Sequence, residues 1–419
     1  MKVPISWLSE WVQVPWQAPE LGARLTMAGF ELEATVPAAP PFSGVVVAQI
    51  TAAVQHPQAD KLRVCQVMTG AGAELQIVCG APNARAGLRT ALATVGAVLP
   101  GGKRIGAAKL RGVDSQGMLC SAKELGLGDA SAGILELPDD VLLGQSLREC
   151  LGLDDITLEL NVTPNRGDAM SIIGVAREVA ALSGGALRGP STAPVTAQRA
   201  DQQAVRLEAG RACPKFVGRV VRGIDNTRPT PVWRRERLRR AGVRSISPAG
   251  EGTIDVRREL GQPLHAYDLA KVSGAVVARM AREREPLTLL DGREVALEAD
   301  MLVIADAAGA VAVAGIMGGE RTAVSAVTCD LFLEVAWFTP DSIAGRARRL
   351  GLHTDASQRF ERGVDPTGQV RAMERATALL LAIAGGEPGR VVVVEDSSGL
   401  PPRAPVHLHD AFGGFIERI

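Results

Sequence analysis

The chain has 419 residues, 46% of them hydrophobic and 22% charged. That is too long for one ordinary core and predicts two to four domains at roughly 100–200 residues each, while the composition excludes wholesale disorder. Lysine plus arginine and aspartate plus glutamate both number 46, so a grip on nucleic acid by bulk charge is excluded and any such contact must come from local basic patches.

The N-terminus, MKVPISWLSEWVQVPW, lacks the long apolar core of a secretory signal. Over residues 1–36, Leu21, Leu25 and Phe30 fall at near-helical spacing with Gly29 as a stop, which predicts a helix. The Pro-rich stretch PAAPPFSG (37–44) closes this region. From Gly44 to about Leu147 the pattern becomes short β-branched runs (VVVAQI, LRVCQV, LQIVCG, RTALATV) separated by Gly, Pro, Asn and Asp, which predicts a small all-β barrel. Residues 151–187 give a strand-like ITLELNV and then a helix. Pro164, Asn165 and Gly167 make the turn, Asp168 is the expected cap, and Ile172, Val175 and Val179 form the apolar stripe.

The small, polar stretch 183–203 reads as a linker, and from about 205 to 395 short strands alternate with helices in a mixed α/β pattern. Within it, RPTPVWRRERLRRAGVR (228–244) reads as a solvated helix between Pro231 and Gly242, its arginine stems laid over apolar surface, ahead of the alternative that its guanidinium groups contact RNA phosphate or a substrate carboxyl or adenosine group. No run reaches the roughly 18–20 apolar residues of a membrane helix. The six cysteines form no CxxC pair and the five histidines no HExxH. A soluble, cytoplasmic chain with reduced thiols and no resident metal is expected. Aromatics make up 3%, with Tyr267 the single tyrosine, so an aromatic platform for single strands is not expected.

Three stretches of the barrel carry further signals: HPQADKLRVCQV (56–67), VCGAPNARAG (78–87) and GGKRIGAAKLRGVDSQGMLCSAKELGL (101–127). The first joins a turn to a strand carrying Lys61 and Arg63, and the last places Lys103, Lys109 and Arg111 close together on glycine-rich loops. In this order the motifs resemble the OB-fold domain of the tRNA-binding type, found in phenylalanyl-tRNA synthetase β subunits and several tRNA-binding proteins. The resemblance implies a barrel whose β face and loops meet RNA, with those five cations as tRNA contacts. Taken singly, each of them equally reads as a cation that only solvates its loop. The segment LELNVTPNRGDAMSIIGVAREVAAL (158–182) is similar to the same β subunits. There it joins the first stretch of chain in one small α/β domain that the barrel interrupts.

Three later blocks complete the likeness: ELGQPLHAYDLAK (259–271), AVAGIMGGERTAV (312–324) with FLEVAWF (332–338), and GRARRLGLHTDASQRFERGVDP (345–366). They resemble the editing domain of bacterial phenylalanyl-tRNA synthetase β subunits, in the right order. The implied organisation is α/β (α+β) and multidomain. Residues 1–40 and 151–190 form a discontinuous small α/β domain around an OB-fold at 41–150. A mixed α/β editing domain of B3/B4 type covers 204–396, and 397–419 is the remnant of a next domain.

Hydrolysing an aminoacyl ester requires a side-chain pocket, donors for the oxyanion and a placed water. Accepting tyrosine while rejecting phenylalanine requires one buried polar partner for the extra hydroxyl. Glu334, alternating with Leu333 and Val335 on a strand, points to one face, where it is either exposed or recruited. The resemblance implies that Glu334 recognises the tyrosine hydroxyl, that His265 and Thr354 flank the scissile ester, and that Ala356 shapes the pocket. It further implies that Gly315 and Gly318 let backbone approach the substrate and that Arg244 faces the tRNA end. From the residues alone, His265 also reads as a satisfied core histidine.

One stretch departs from the family pattern. AGEGTIDVRR (249–258) stands where the family reads like VVDVTNYVML, and Ile254 occupies the place of a pocket asparagine. The function implied is that of the N-terminal portion of a phenylalanine–tRNA ligase β subunit: tRNA binding and hydrolytic editing of Tyr-tRNA(Phe). The Mg²⁺-associated and catalytic-like domains of the family lie beyond this sequence. ATP and Mg²⁺ are implied for the complete α/β enzyme and no cofactor for this chain. The implied partners are tRNA(Phe) and the α subunit, with no DNA and no membrane. The alternative is a non-catalytic tRNA-binding or assembly module, or a non-functional fragment.

Overall fold

The computed structural model describes residues 1–70, 72–129, 133–243 and 247–402. Contacts divide the chain into one unit of Met1–Pro190 with Arg228–Glu251, and a second of Ser191–Thr227 with the chain from Gly252 onward.

The first unit opens with β1 (Lys2–Pro4), α1 (Ile5–Ser9), α2 (Ala18–Met27) and β2 (Glu31–Pro37). Helix α2 buries Leu21 and Leu25, Phe30 is buried behind it, and Gly29 takes the left-handed φ of +93° that ends the helix. Next come β3 (Ser43–His56), β4 (Ala59–Met68), β5 (Leu75–Cys79), β6 (Arg89–Val98), β7 (Ala108–Leu110), β8 (Val113–Ser115) and β9 (Gly117–Leu119). Five of these form an antiparallel sheet in the order β5-β4-β3-β6-β9, with β7 and β8 as a separate hairpin. Strand β3 makes the curl. Its first half pairs with β6 and its second with β4, with register shifts at Ser43/Val45, Ile50/Ala52 and Gln55/His56. Such bulges bend a strand and let one sheet wrap a core. Two buried clusters result, one including Val47, Ala91 and Cys120 and a second including Ile50, Cys65 and Leu92.

After α3 (Leu147–Cys150), strand β10 (Ile156–Asn161) slots between β1 and β2, antiparallel to both. Helix α4 (Ile172–Ser183) follows, burying Ile172, Val175 and Val179. Its cap is Ser171, whose Oγ accepts from the Gly174 N–H at 3.0 Å. Asp168, the residue expected there, is held instead by Arg166 at 3.0 Å, because the extra turn Pro164–Ala169 moves the helix start three residues on. Helix α5 (Val232–Arg240) also differs from expectation. Arg234 is fully buried, and Arg240 meets Asp155 at 3.1 Å with both side chains nearly buried. Arg237 lies over the Trp7 and Trp233 rings. A solvated helix was expected, but carboxylates met by its guanidinium groups make burial of charge tolerable.

Helix α6 (Pro248–Leu260) covers the atypical stretch 249–258. The second unit holds β11 (Val205–Leu207), β12 (Lys215–Arg222), β13 (His265–Asp268), β14 (Val276–Met280), β15 (Glu285–Thr288) and β16 (Glu294–Leu297). It continues with β17 (Leu302–Asp306), β18 (Gly309–Val313), β19 (Met317–Gly318), β20 (Leu331–Trp337), β21 (Glu387–Pro388) and β22 (Val392–Glu395). One sheet runs β11-β14-β17-β18-β19, a second β13-β20-β12-β21 with β22 also on β12, and β15 and β16 pair as a two-stranded sheet. The helices are α7 (Pro340–Ile343), α8 (Arg346–Arg349), α9 (Asp355–Arg362) and α10 (Gln369–Ala384).

Arg219 of β12 is buried and ties that strand to α10 through Glu374 at 2.8 Å. It also donates to the carbonyls of Gly389 and Val195 at 2.9 and 2.7 Å. Part of the stretch read as a linker is therefore pinned. The Val195 N–H donates to Glu374 at 2.7 Å and the Gln198 N–H to the Pro388 carbonyl at 2.8 Å.

Candidate functional site

Strands β13 and β20 are antiparallel neighbours with His265 directly opposite Glu334. Opposed residues share a face and alternate residues return to it, so His265, Tyr267 and Glu334 project together while Leu333 and Val335 face away. On the other flank of Glu334 stands Gly218 of β12, where a Cβ would come within 2.7 Å of the Phe332 ring. This shared face opens on a cavity of about 250 Å³ walled by the 312–318 turn, the start of α9 and Arg257 of α6. The volume lies below the roughly 300–1,000 Å³ of drug-sized ligand pockets and suits one amino-acid side chain.

Two titratable groups meet there. Glu334 is buried, and burial pushes its carboxyl up from 4.5 to about 7, although a hydrogen bond from the Tyr267 hydroxyl to its Oε2 pulls the other way. Among the described residues no group bonds its Oε1. Among the described residues the buried Nε2 of His265 has no hydrogen-bond partner, and burial pushes the imidazole down to about 4, so it is neutral at pH 7. Tyr267 sits edge-on to His265 with ring centroids 4.5 Å apart and stacks on Phe332 at 6.1 Å.

Six of the seven expected pocket residues, His265, Glu334, Thr354, Ala356, Gly315 and Gly318, line this one cavity. The seventh, Arg244, lies outside the described residues. The glycines serve protein neighbours first. A Cβ on Gly318 would meet His265 Cε1 at 2.4 Å and Nε2 at 2.7 Å, so the missing side chain is what lets the imidazole lie there. Gly315 takes a φ of +69° and is crowded by Phe360 and Phe338, so it serves the turn and the core. The Thr354 hydroxyl is committed: it donates to the Ile316 carbonyl and, as the cap of α9, accepts from the Ser357 N–H, both at 3.0 Å. Ile254 on α6 does not line the cavity, but Arg257, one turn further on, does. Arg257 reaches Asp355 only at 3.4 Å and burial lowers its pKa. Sequence reasoning missed Tyr267 and Arg257. The spacing of two from His265 along a strand was the available signal for Tyr267.

In the barrel, Lys61, Lys103, Lys109 and Arg111 are exposed. Arg111 sits at a φ of +45° on the β7–β8 turn, and the hairpin is tied back to the 56–59 turn by His56 Nε2 and the Leu110 carbonyl at 3.1 Å. Arg63 is half-buried and donates to the Ala84 carbonyl at 2.6 Å, which is a structural use. Asn83 of the VCGAPN block joins two segments: its amide donates to the Ile134 carbonyl and to Glu136, and its Oδ1 accepts from the Ile134 N–H, each at 2.9 Å. Among the described residues no helix is long and apolar enough to cross a membrane.

A curled five-stranded sheet and a separate mixed unit with a carboxylate–imidazole cavity make a two-module protein, and a known domain family matches within each module. The tRNA binding domain family matches residues 45–146 and the B3/4 domain family residues 212–385. The phenylalanine–tRNA ligase β subunit of Dickeya dadantii (strain 3937) is 54% identical over 408 residues, 97% of this chain and 51% of that protein. The one from Methylococcus capsulatus is 53% identical over 410 residues, 98% of this chain and 52% of that protein. An N-terminal fragment of the phenylalanyl-tRNA synthetase β subunit from Pyrococcus horikoshii aligns at 15% identity and a TM-score of 0.31, covering 58% of this chain and 68% of that one, too slight a likeness to carry weight. The chain belongs to the phenylalanine–tRNA ligase β-subunit family, and it spans about half the length of the curated relatives it matches.

Proposed function

We propose that the chain hydrolyses tyrosine wrongly esterified to tRNA(Phe), as the tRNA-binding and editing part of a phenylalanine–tRNA ligase β subunit. The observation that carries this reading is the meeting of a buried carboxylate and an unbonded, neutral imidazole across one cavity of amino-acid size. The tyrosine ring enters the cavity and its phenolic hydroxyl meets the open oxygen of Glu334. A phenylalanine ring leaves that buried oxygen unpaired, a penalty of about 1–3 kcal/mol. His265, unprotonated at neutral pH, is free to accept a proton from a water placed beside the ester. Thr354 and Ala356 shape the wall, and Gly318 seats the imidazole. Arg244 takes the tRNA end.

The barrel at 41–150 binds tRNA through Lys61, Lys103, Lys109 and Arg111. The small domain of 1–40 with 151–190 carries it, and 204–396 is the editing domain. Phenylalanylation itself, with ATP and Mg²⁺, belongs to the complete cytoplasmic α/β enzyme. The test is deacylation of preformed Tyr-tRNA(Phe) by the native chain beside His265→Ala and Glu334→Ala. Hydrolysis that falls in both variants is expected. A folded native chain without activity would leave the non-catalytic tRNA-binding reading, which the commitment of the Thr354 hydroxyl and the presence of Ile254 favour.

A further inference from the structure

The editing reading gives Glu334 the task of telling tyrosine from phenylalanine, and a carboxylate does so only if its orientation is fixed. Among the described residues its environment leaves one group to fix it. Gly218 opposite on β12 has no side chain. Arg219 and its partner Glu374 belong to the far face of the sheet, because neighbouring strand residues alternate. The Cys213 thiol lies near enough to feel the charge, and burial holds it protonated. His265 offers an Nε2 without a partner, and Arg257 is turned to Asp355. Among the described residues only Tyr267 bonds the carboxylate: its hydroxyl donates to Oε2, and its ring is clamped between His265 and Phe332.

We infer that Tyr267 is a positioning residue for substrate selection: its hydroxyl pins one oxygen of Glu334 so that the other is held toward the cavity as the acceptor for a phenolic hydroxyl. The inference rests on the editing reading and deepens it. A buried carboxyl held only by packing can turn or keep its proton; one that accepts a fixed hydroxyl hydrogen stays an acceptor. The ring alone does not supply this, so the role lies in one oxygen atom.

Because Tyr267 is the only tyrosine in the chain, that oxygen can be addressed alone. Tyr267→Phe keeps the ring and removes the bond. The ratio of kcat/KM for Tyr-tRNA(Phe) over Phe-tRNA(Phe) is expected to fall by about tenfold, the scale of one hydrogen bond to a charged group. The pH at which selectivity appears should move upward, since the Tyr267 bond favours the ionised carboxylate. A merely structural tyrosine would leave both unchanged, and that result overturns the inference. A second measurement does not depend on turnover. Fluorotyrosine incorporated at position 267 gives one fluorine resonance, expected to titrate with Glu334 and to lose that titration in Glu334→Gln. A resonance indifferent to Glu334 refutes the coupling even in an active chain. A coupled resonance in a chain that hydrolyses neither ester refutes the editing reading, and with it the role in selection.

Discussion

Replacing Glu334 by glutamine should make the protein more stable in alkali while removing its discrimination. The carboxyl is pushed from 4.5 to about 7 in the folded chain, so folding favours its protonated form. For an acid shifted upward, the folded state carries no penalty below the unfolded pKa and loses stability as pH rises through the folded one. At about 1.36 kcal/mol per pH unit, the rise from 4.5 to about 7 costs roughly 3 kcal/mol once the solution is above pH 7. Glutamine is isosteric, still accepts the Tyr267 hydroxyl and never ionises. Its advantage should be about 1 kcal/mol near pH 5 and grow to about 3 kcal/mol at pH 8. His265 titrates alike in both proteins and cancels, and Tyr267, whose pKa is raised well above 10, stays protonated throughout. Because the chain has two units, one global melt is ambiguous. Pulse proteolysis in urea, with cleavage inside 252–402 read by mass spectrometry, isolates the relevant unit. Stability differences that stay parallel from pH 5 to pH 8 would refute the buried-acid argument.

Gly318→Ala should displace the His265 ring and cut Tyr-tRNA(Phe) deacylation by about a hundredfold for at most about 1–3 kcal/mol of stability. Gly315→Ala should act mainly on stability, because its left-handed φ and its contacts with Phe338 and Phe360 leave no room; activity and urea midpoints for the pair separate the two. Arg219→Met should cost about 3–5 kcal/mol by stranding Glu374, and adding Glu374→Leu should recover much of it, measured by the same proteolysis. Neutralising Lys109 and Arg111 should weaken tRNA binding and lower the slope of log affinity against log salt by about 1–2, with no change in the melting temperature.

How much of this was legible in the sequence depends on the range of the signal. The α2 helix, the barrel strands and the alternation of Glu334 with Leu333 and Val335 rest on local periodicity, which survives without a structure. Which residue faces Glu334 does not: His265 lies 69 residues earlier and meets it only through the register of β13 on β20. Tyr267 was therefore invisible as a partner, although it shares the face of His265. The α5 arginines were read as solvated because their carboxylates, such as Asp155, lie far away in sequence. Asp168 and Ser171 are both good caps, and the short turn before α4 decided between them. Thr354 was legible as a polar residue beside a pocket, but its role as the cap of α9 required knowing where that helix starts.

The placement of β10 between β1 and β2 has a consequence for synthesis. The first sheet cannot close until Ile156–Asn161 have left the ribosome, roughly 120 residues after β2; at about 5–20 residues per second that is a wait of about 6–24 seconds. During the wait the barrel between them can fold, and its own ends meet at the Val46–Ser146 bridge. A folded insert with adjoining ends turns a long, entropically expensive loop into a short one. On this account the barrel is a splint as well as a module. Lesions in its core, such as at Ile50 or Leu92, should delay the maturation of a domain they never touch.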